Sequence, residues 1–180
     1  MRRFLLFLLT LAALATIGPS TVAAHPADRL LQHLILTIHG DRVEATFAVS
    51  GGLLATSDLA RSIDGDHDEA FSAAEAQAWL QRFTRQISIT RDGQLLPIDP
   101  AMIRLEMPAY NSFALGLSPL LVTYTLPTGA TAQAGLRYAI TNGYKPDLSD
   151  LRLDIAETPG GTLAEPAYPG RTVHLAVDVD

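Results

Sequence analysis

An antiparallel β-sandwich is the fold the sequence predicts, and three observations predict it. Short runs in which apolar and polar residues alternate recur along most of the chain. Gly- and Pro-containing turns separate them. A helical period takes over in one region only, where it is broken by a cluster of acids. About eight short strands of this kind favour two packed sheets of the immunoglobulin-like type, with a helical pair inserted between the second and third strands.

The first two strands form a hairpin. Leu34, Leu36 and Ile38 alternate with polar neighbours, Gly40-Asp41 turns the chain, and Val43, Ala45, Phe47 and Val49 alternate again. Further strand signals lie at Ile87–Ile89, Ile103–Met107, Val122–Leu126, Leu136–Ile140, Leu151–Ile155 and Val173–Val177. Asp92-Gly93, Thr128-Gly129, Asn142-Gly143 and Pro159-Gly160-Gly161 punctuate them. No internal repeat, low-complexity tract or inter-domain linker interrupts the series.

The insert spans about residues 53–85. Leu59, Ala60 and Ile63 share one side of a helix over 53–63, and Ala76, Trp79, Leu80 and Phe83 follow i, i+3, i+4, i+7 on a helix over about 73–85. Between them runs IDGDHDEAFSAAE, which puts carboxylates at the first, third, fifth and twelfth places of one loop: Asp64, Asp66, Asp68 and Glu75. That is the spacing of an EF-hand calcium loop, because a hard dication takes six to eight oxygens and is closed in by a bidentate acid. The Ala70 carbonyl stands at the seventh place, Ser72 at the ninth, where a water bridges, and Phe71 at the eighth, where an apolar side chain anchors the loop.

Two features weaken the match. Glu69 occupies the sixth place, normally Gly because the backbone turns there with positive φ, and a left-handed Glu costs roughly 1–2 kcal/mol. Ser72-Ala73-Ala74-Glu75 is also a capping box, which satisfies a helix N-terminus without metal. The capping box leaves the three aspartates unexplained, and like charges so close repel unless a cation separates them. The expected site is therefore weak or structural, with a Kd of roughly 10⁻⁴–10⁻³ M.

Met1-Arg2-Arg3, the apolar run Phe4–Ile17 and Val22-Ala23-Ala24 have the three parts of a signal peptide, residues 1–24, so that His25-Pro26 begins the exported chain. The apolar run is shorter than the ~20 residues that cross a bilayer. The expected location is periplasmic or secreted. The whole chain of 180 residues carries a formal charge of −6, and losing Arg2 and Arg3 with no acid makes it −8. Such a surface disfavours nucleic acid and anionic lipid as partners and favours cations. Cysteine is absent, so disulfides play no part in holding residues 25–180, the single expected domain.

A leader ending in Ala24-His25-Pro26, an apolar hairpin, an Asp-x-Asp-x-Asp loop entering an Ala- and Glu-rich helix, and further strands resemble the periplasmic N-terminal domain of bacterial membrane proteins of the nickel/cobalt transporter and HupE/UreJ-like kind. The likeness covers most of residues 25–180. Asp64, Asp66, Asp68, Ser72 and Glu75 stand at that pattern's acidic and hydroxyl positions, and Glu69 departs from its glycine. Those proteins continue into a multi-helix membrane part, whereas this chain stops at Asp180. The resemblance thus implies a free-standing accessory or binding module, with a membrane transporter or another envelope protein as its partner.

His25 offers a second, different metal chemistry. A terminal histidine presents an α-amine and a ring nitrogen together, a chelate suited to nickel, cobalt or copper. Pro26 removes the adjacent amide as a ligand. A further ligand would have to come from His33, His39, His67 or His174; His33 and His39 are roughly 20 Å apart on an extended strand and cannot share an ion. No enzymatic signature is present: no HExxH helix, no Gly-x-Ser-x-Gly elbow, no phosphate-binding glycine loop and no cysteine nucleophile. The expectation is a protein that is not an enzyme. Tyr110, Phe113, Tyr124, Tyr138 and Tyr144 serve either the core and turns or a ligand face.

Overall fold

The computed structural model describes residues 27–39, 41–127, 136–155, 161–163 and 171–179. The leader region, His25, Thr128-Gly129 and Pro159-Gly160 lie outside the described residues.

The alternating runs form strands because every second side chain meets the interior. Strand β1 (Leu30–Ile38) pairs antiparallel with β2 (Arg42–Gly51), with Leu34 opposite Phe47 and Leu36 opposite Ala45. The hairpin closes through the His39 amide donating to the Arg42 carbonyl at 2.8 Å. Helix α1 (Leu53–Ile63) and helix α2 (Ala73–Thr84) follow, then β3 (Ile87–Arg91), β4 (Gln94–Leu95), a 3-10 turn (Pro100–Met102) and β5 (Ile103–Glu106). The chain continues with helix α3 (Tyr110–Ala114), β6 (Leu120–Pro127), β7 (Leu136–Asn142), β8 (Ser149–Ile155), β9 (Gly161–Leu163) and β10 (Thr172–Val179). All the expected strands form. The short strands β4 and β9 and the helix α3 were not expected.

The structure is mainly β, in two open five-stranded sheets ordered β5-β6-β2-β1-β8 and β4-β3-β7-β10-β9. One pairing departs from the expected antiparallel scheme: β8 runs parallel to β1, Leu30 opposite Ser149 through Leu36 opposite Ile155. Parallel neighbours need a long crossover, and here more than a hundred residues of chain intervene. The β3–β4 turn is made by Asp92 (φ 50°) and Gly93 (φ 79°), the paired positive angles of a tight hairpin.

Leu34, Leu36, Phe47, Val49 and Val122 from the first sheet and Ile89, Tyr138, Ile140 and Val173 from the second share one core. The core has a polar bolt. Buried Asn142 donates to Gln32 Oε1 at 2.7 Å, joining the sheets, and Gln32 Nε2 donates to the Tyr144 carbonyl and to Ser149 Oγ. Every heteroatom in that bolt has a partner, so its burial is affordable.

The insert docks by its apolar stripes. Leu59, Ala60 and Ile63 of α1 and Trp79, Leu80 and Phe83 of α2 are buried, as the period predicts. Trp79 stacks on Phe83 at 5.1 Å and donates its indole N–H to Tyr144 Oη at 3.0 Å.

Candidate metal centre

The acidic loop begins where α1 ends. Asp64 caps α1, its amide donating to the Ala60 carbonyl, and its side chain is only 1 % exposed. One oxygen accepts from the Asp68 amide and the other from the Glu69 amide, both at 3.2 Å. No Lys or Arg pairs with it among the described residues. A buried carboxylate held by two long hydrogen bonds, without a counter-charge, is an unusual arrangement in a protein interior.

Asp66 and Asp68 are exposed, and each turns a carboxylate oxygen toward Asp64, so that the three ligand atoms lie within 4.8 Å of one another. Asp68 Oδ1 also accepts from the Ala70 amide at 2.9 Å. The sharp turn that gathers them is left-handed at Glu69 (φ 60°), the place where a glycine was expected, and again at His67 (φ 62°).

Glu75 belongs to the loop in a different way. Its Oε1 accepts from the Gly65 amide, while Oε2 accepts from the Ser72 amide at 3.0 Å and the Ser72 hydroxyl at 2.8 Å. The reciprocal Ser72–Glu75 capping box is formed at the start of α2. One carboxylate thus ties the second place of the loop to the ninth and closes the ring. Phe71 anchors the loop, packing against Tyr110 at 5.3 Å and Phe113 at 6.2 Å on α3. Phe71 at the eighth place was the sequence signal for this contact; its partners on α3 carried none.

Charge is concentrated here. The Asp66 carboxyl is pushed above its ordinary value by partial desolvation, then by the negative charges of Asp68, Glu75 and Asp64. Glu75 is drawn down to about 2 by the Ser72 hydroxyl, then by the Ser72 and Gly65 amides. A lowered carboxyl pKa contributes stability that is complete above the ordinary value of 4.5 and is lost as pH falls toward about 2. In calcium-free buffer the native protein is therefore expected to lose Tm more steeply between those two pH values than Glu75→Gln does. Parallel acid-melting curves, followed by circular dichroism, would remove this role from Glu75.

The described histidines do not converge. His33 Nδ1 pairs with Asp154 at 2.9 Å, His39 faces Glu44 at 3.8 Å, and His67 and His174 are exposed at separate places. His25 lies outside the described residues. Among the described residues the grouping able to hold a metal is Asp64, Asp66 and Asp68. No helix among them is long and apolar enough to cross a membrane. Neither models of known protein families nor curated proteins give a match to this chain.

Proposed function

We propose that the protein is an exported, non-catalytic binding or accessory module, an immunoglobulin-like sandwich whose EF-hand-like loop takes one calcium ion. The observation that carries this reading is the approach of the three aspartate oxygens to within 4.8 Å. Oxygens bound to one calcium at about 2.4 Å can stand no more than about 4.8 Å apart, and the three aspartate oxygens meet that limit. The buried, unpaired charge of Asp64 supports it, since a central cation would supply the missing positive partner.

In this reading Asp64, Asp66 and Asp68 give single oxygens, Ala70 its carbonyl, Ser72 a bridged water and Glu75 two oxygens. The Gly65 amide takes one lone pair of Oε1 and the two Ser72 donors take both of Oε2, so the two-oxygen role requires a Ser72 donor to be released when the ion enters. The ion's effect is to pin α1, the loop and α2 to the sheets. The resemblance to periplasmic domains of nickel/cobalt transporter-like and HupE/UreJ-like proteins makes an envelope membrane protein the partner.

Calcium at about 10 mM is expected to raise the Tm of the purified protein by roughly 3–10 °C, the linkage effect of a site with Kd near 10⁻⁴–10⁻³ M. Asp64→Ala and Glu75→Gln should abolish the gain. Asp66→Asn should raise Tm in calcium-free buffer, by relieving the crowding of charge, while losing the response to calcium. No calcium response in the native protein, or one that survives all three substitutions, overturns the reading. Stabilisation by nickel, cobalt or copper that requires an unextended His25 would point instead to transition-metal carriage.

A further inference from the structure

The outer face of the first sheet, turned away from the core, carries a self-complementary pattern of charge. The strand registers set its side chains in rows that cross β5, β6, β2, β1 and β8 in turn. One row runs Arg104, Thr123, Thr46, Ile35, Asp154. The next runs Glu106, Leu121, Ala48, His33, Arg152. Each row therefore ends in one cation and one anion, and the two rows carry them in opposite order.

The middle of this face is small and largely uncharged. Ile35, Ala48 and Leu121 are half-buried and take no part in the core, and the Thr46 and Thr123 hydroxyls bond each other at 3.0 Å. The rim charges are partly fixed in place, Arg104 pairing with Glu106 at 3.3 Å and His33 with Asp154 at 2.9 Å. Arg152 is exposed, with no carboxylate partner among the described residues.

We infer that this face binds a second copy of the chain, sheet on sheet, about a twofold axis that crosses the strands between the two rows. Each row then lies on the other row of the partner copy, as an isologous contact requires. Arg104 meets the partner's Glu106, and Arg152 meets the partner's Asp154. Between these rim pairs Leu121 covers the partner's Thr123, and Thr46 faces the partner's Ala48, small enough for the sheets to approach to about 10 Å. An axis along the strands through β2 would also match opposite charges at the rim. That axis, however, sets Glu44 on Glu44 and Arg42 on Arg42, which repel, whereas the crossing axis sets Glu44 on Ser50. A face five strands wide at about 4.8 Å each and extending from Leu31 to Thr37 at about 3.3 Å per residue measures roughly 500 Å². Two copies thus bury about 1,000 Å², the lower bound of a specific interface, so the dimer is reversible.

Sedimentation velocity of the purified protein between about 1 µM and 1 mM is expected to show monomer passing into dimer. Ala48→Arg, at the centre of the face, should keep its circular dichroism and stay monomeric throughout. Arg152→Asp should weaken dimerisation about tenfold or more, by setting two acids against each other. Adding Asp154→Arg to it should restore the dimer, a gain that misfolding cannot imitate and that the axis along the strands would not allow. The proposal is overturned if the native protein stays monomeric to about 1 mM, which would leave the face to a different protein. It is equally overturned if Ala48→Arg or Arg152→Asp dimerises as the native protein does, or if the reciprocal exchange fails to restore association.

Discussion

Replacing Trp79 with alanine is expected to cost about 3–5 kcal/mol and to lower Tm by roughly 10 °C. The indole is 1 % exposed, stacks on Phe83 at 5.1 Å, and meets Tyr144 edge-on at 6.0 Å. Tyr144 sits on the connection between β7 and β8, and its carbonyl accepts from Gln32 and from Arg171. One side chain therefore joins α2, which carries Ser72 and Glu75, to the polar bolt between the sheets. Trp79→Phe keeps an aromatic ring but strips the N–H from Tyr144 Oη, at a cost of about 1–3 kcal/mol. Because Trp79 is the sole tryptophan, urea unfolding of these variants is followed by far-ultraviolet circular dichroism. Amide exchange should accelerate along α2 more than along β1 and β2 in the alanine variant. A loss below about 1 kcal/mol would mean that the insert is not held by this anchor.

Local pattern was enough to place most elements and not enough to pair them. Apolar residues at alternate places, Leu34, Leu36 and Ile38 and then Val43, Ala45, Phe47 and Val49, read as a half-buried hairpin, and the 3.6 period of α1 and α2 likewise fixes their inner faces. The parallel β1–β8 pairing depends on contacts between residues more than a hundred places apart, on which periodicity is silent. Strands β4 and β9 are two and three residues long, too short to show a period. Helix α3 is five residues and is held by Phe113 in the core and by Thr56 Oγ1 donating to the Ala114 carbonyl, both tertiary causes. In the acidic loop, spacing grouped the three aspartates and flagged the left-handed Glu69. Spacing could not distinguish them, yet Asp64 is buried while Asp66 and Asp68 face solvent, because Asp64 alone is fixed by the end of α1. Tyr124 was one aromatic among several in the sequence, and only its unpaired hydroxyl sets it apart.

Phe47→Ala should be as damaging as the loss of Trp79, at about 3–5 kcal/mol, and for a different reason. Phe47 is wholly buried on β2, the middle strand of its sheet, with Leu34 opposite on one side and Val122 on the other. Its ring meets Phe83 of α2 at 5.6 Å and Tyr124 of β6 at 5.9 Å, both edge-on. Three elements therefore lose a shared contact, and a neighbourhood built of strands paired on both sides has little freedom to collapse into the space. Phe47→Leu keeps most of the volume and should cost about 1–2 kcal/mol, chiefly the two aromatic contacts. An apolar cavity of this kind stays dry and accepts benzene. Benzene is accordingly expected to restore part of the lost Tm in Phe47→Ala and to leave the native protein unchanged. Equal responses in the two proteins would show that the site closes after truncation, and the unfolding free energy of Phe47→Ala should then lie near that of Phe47→Leu.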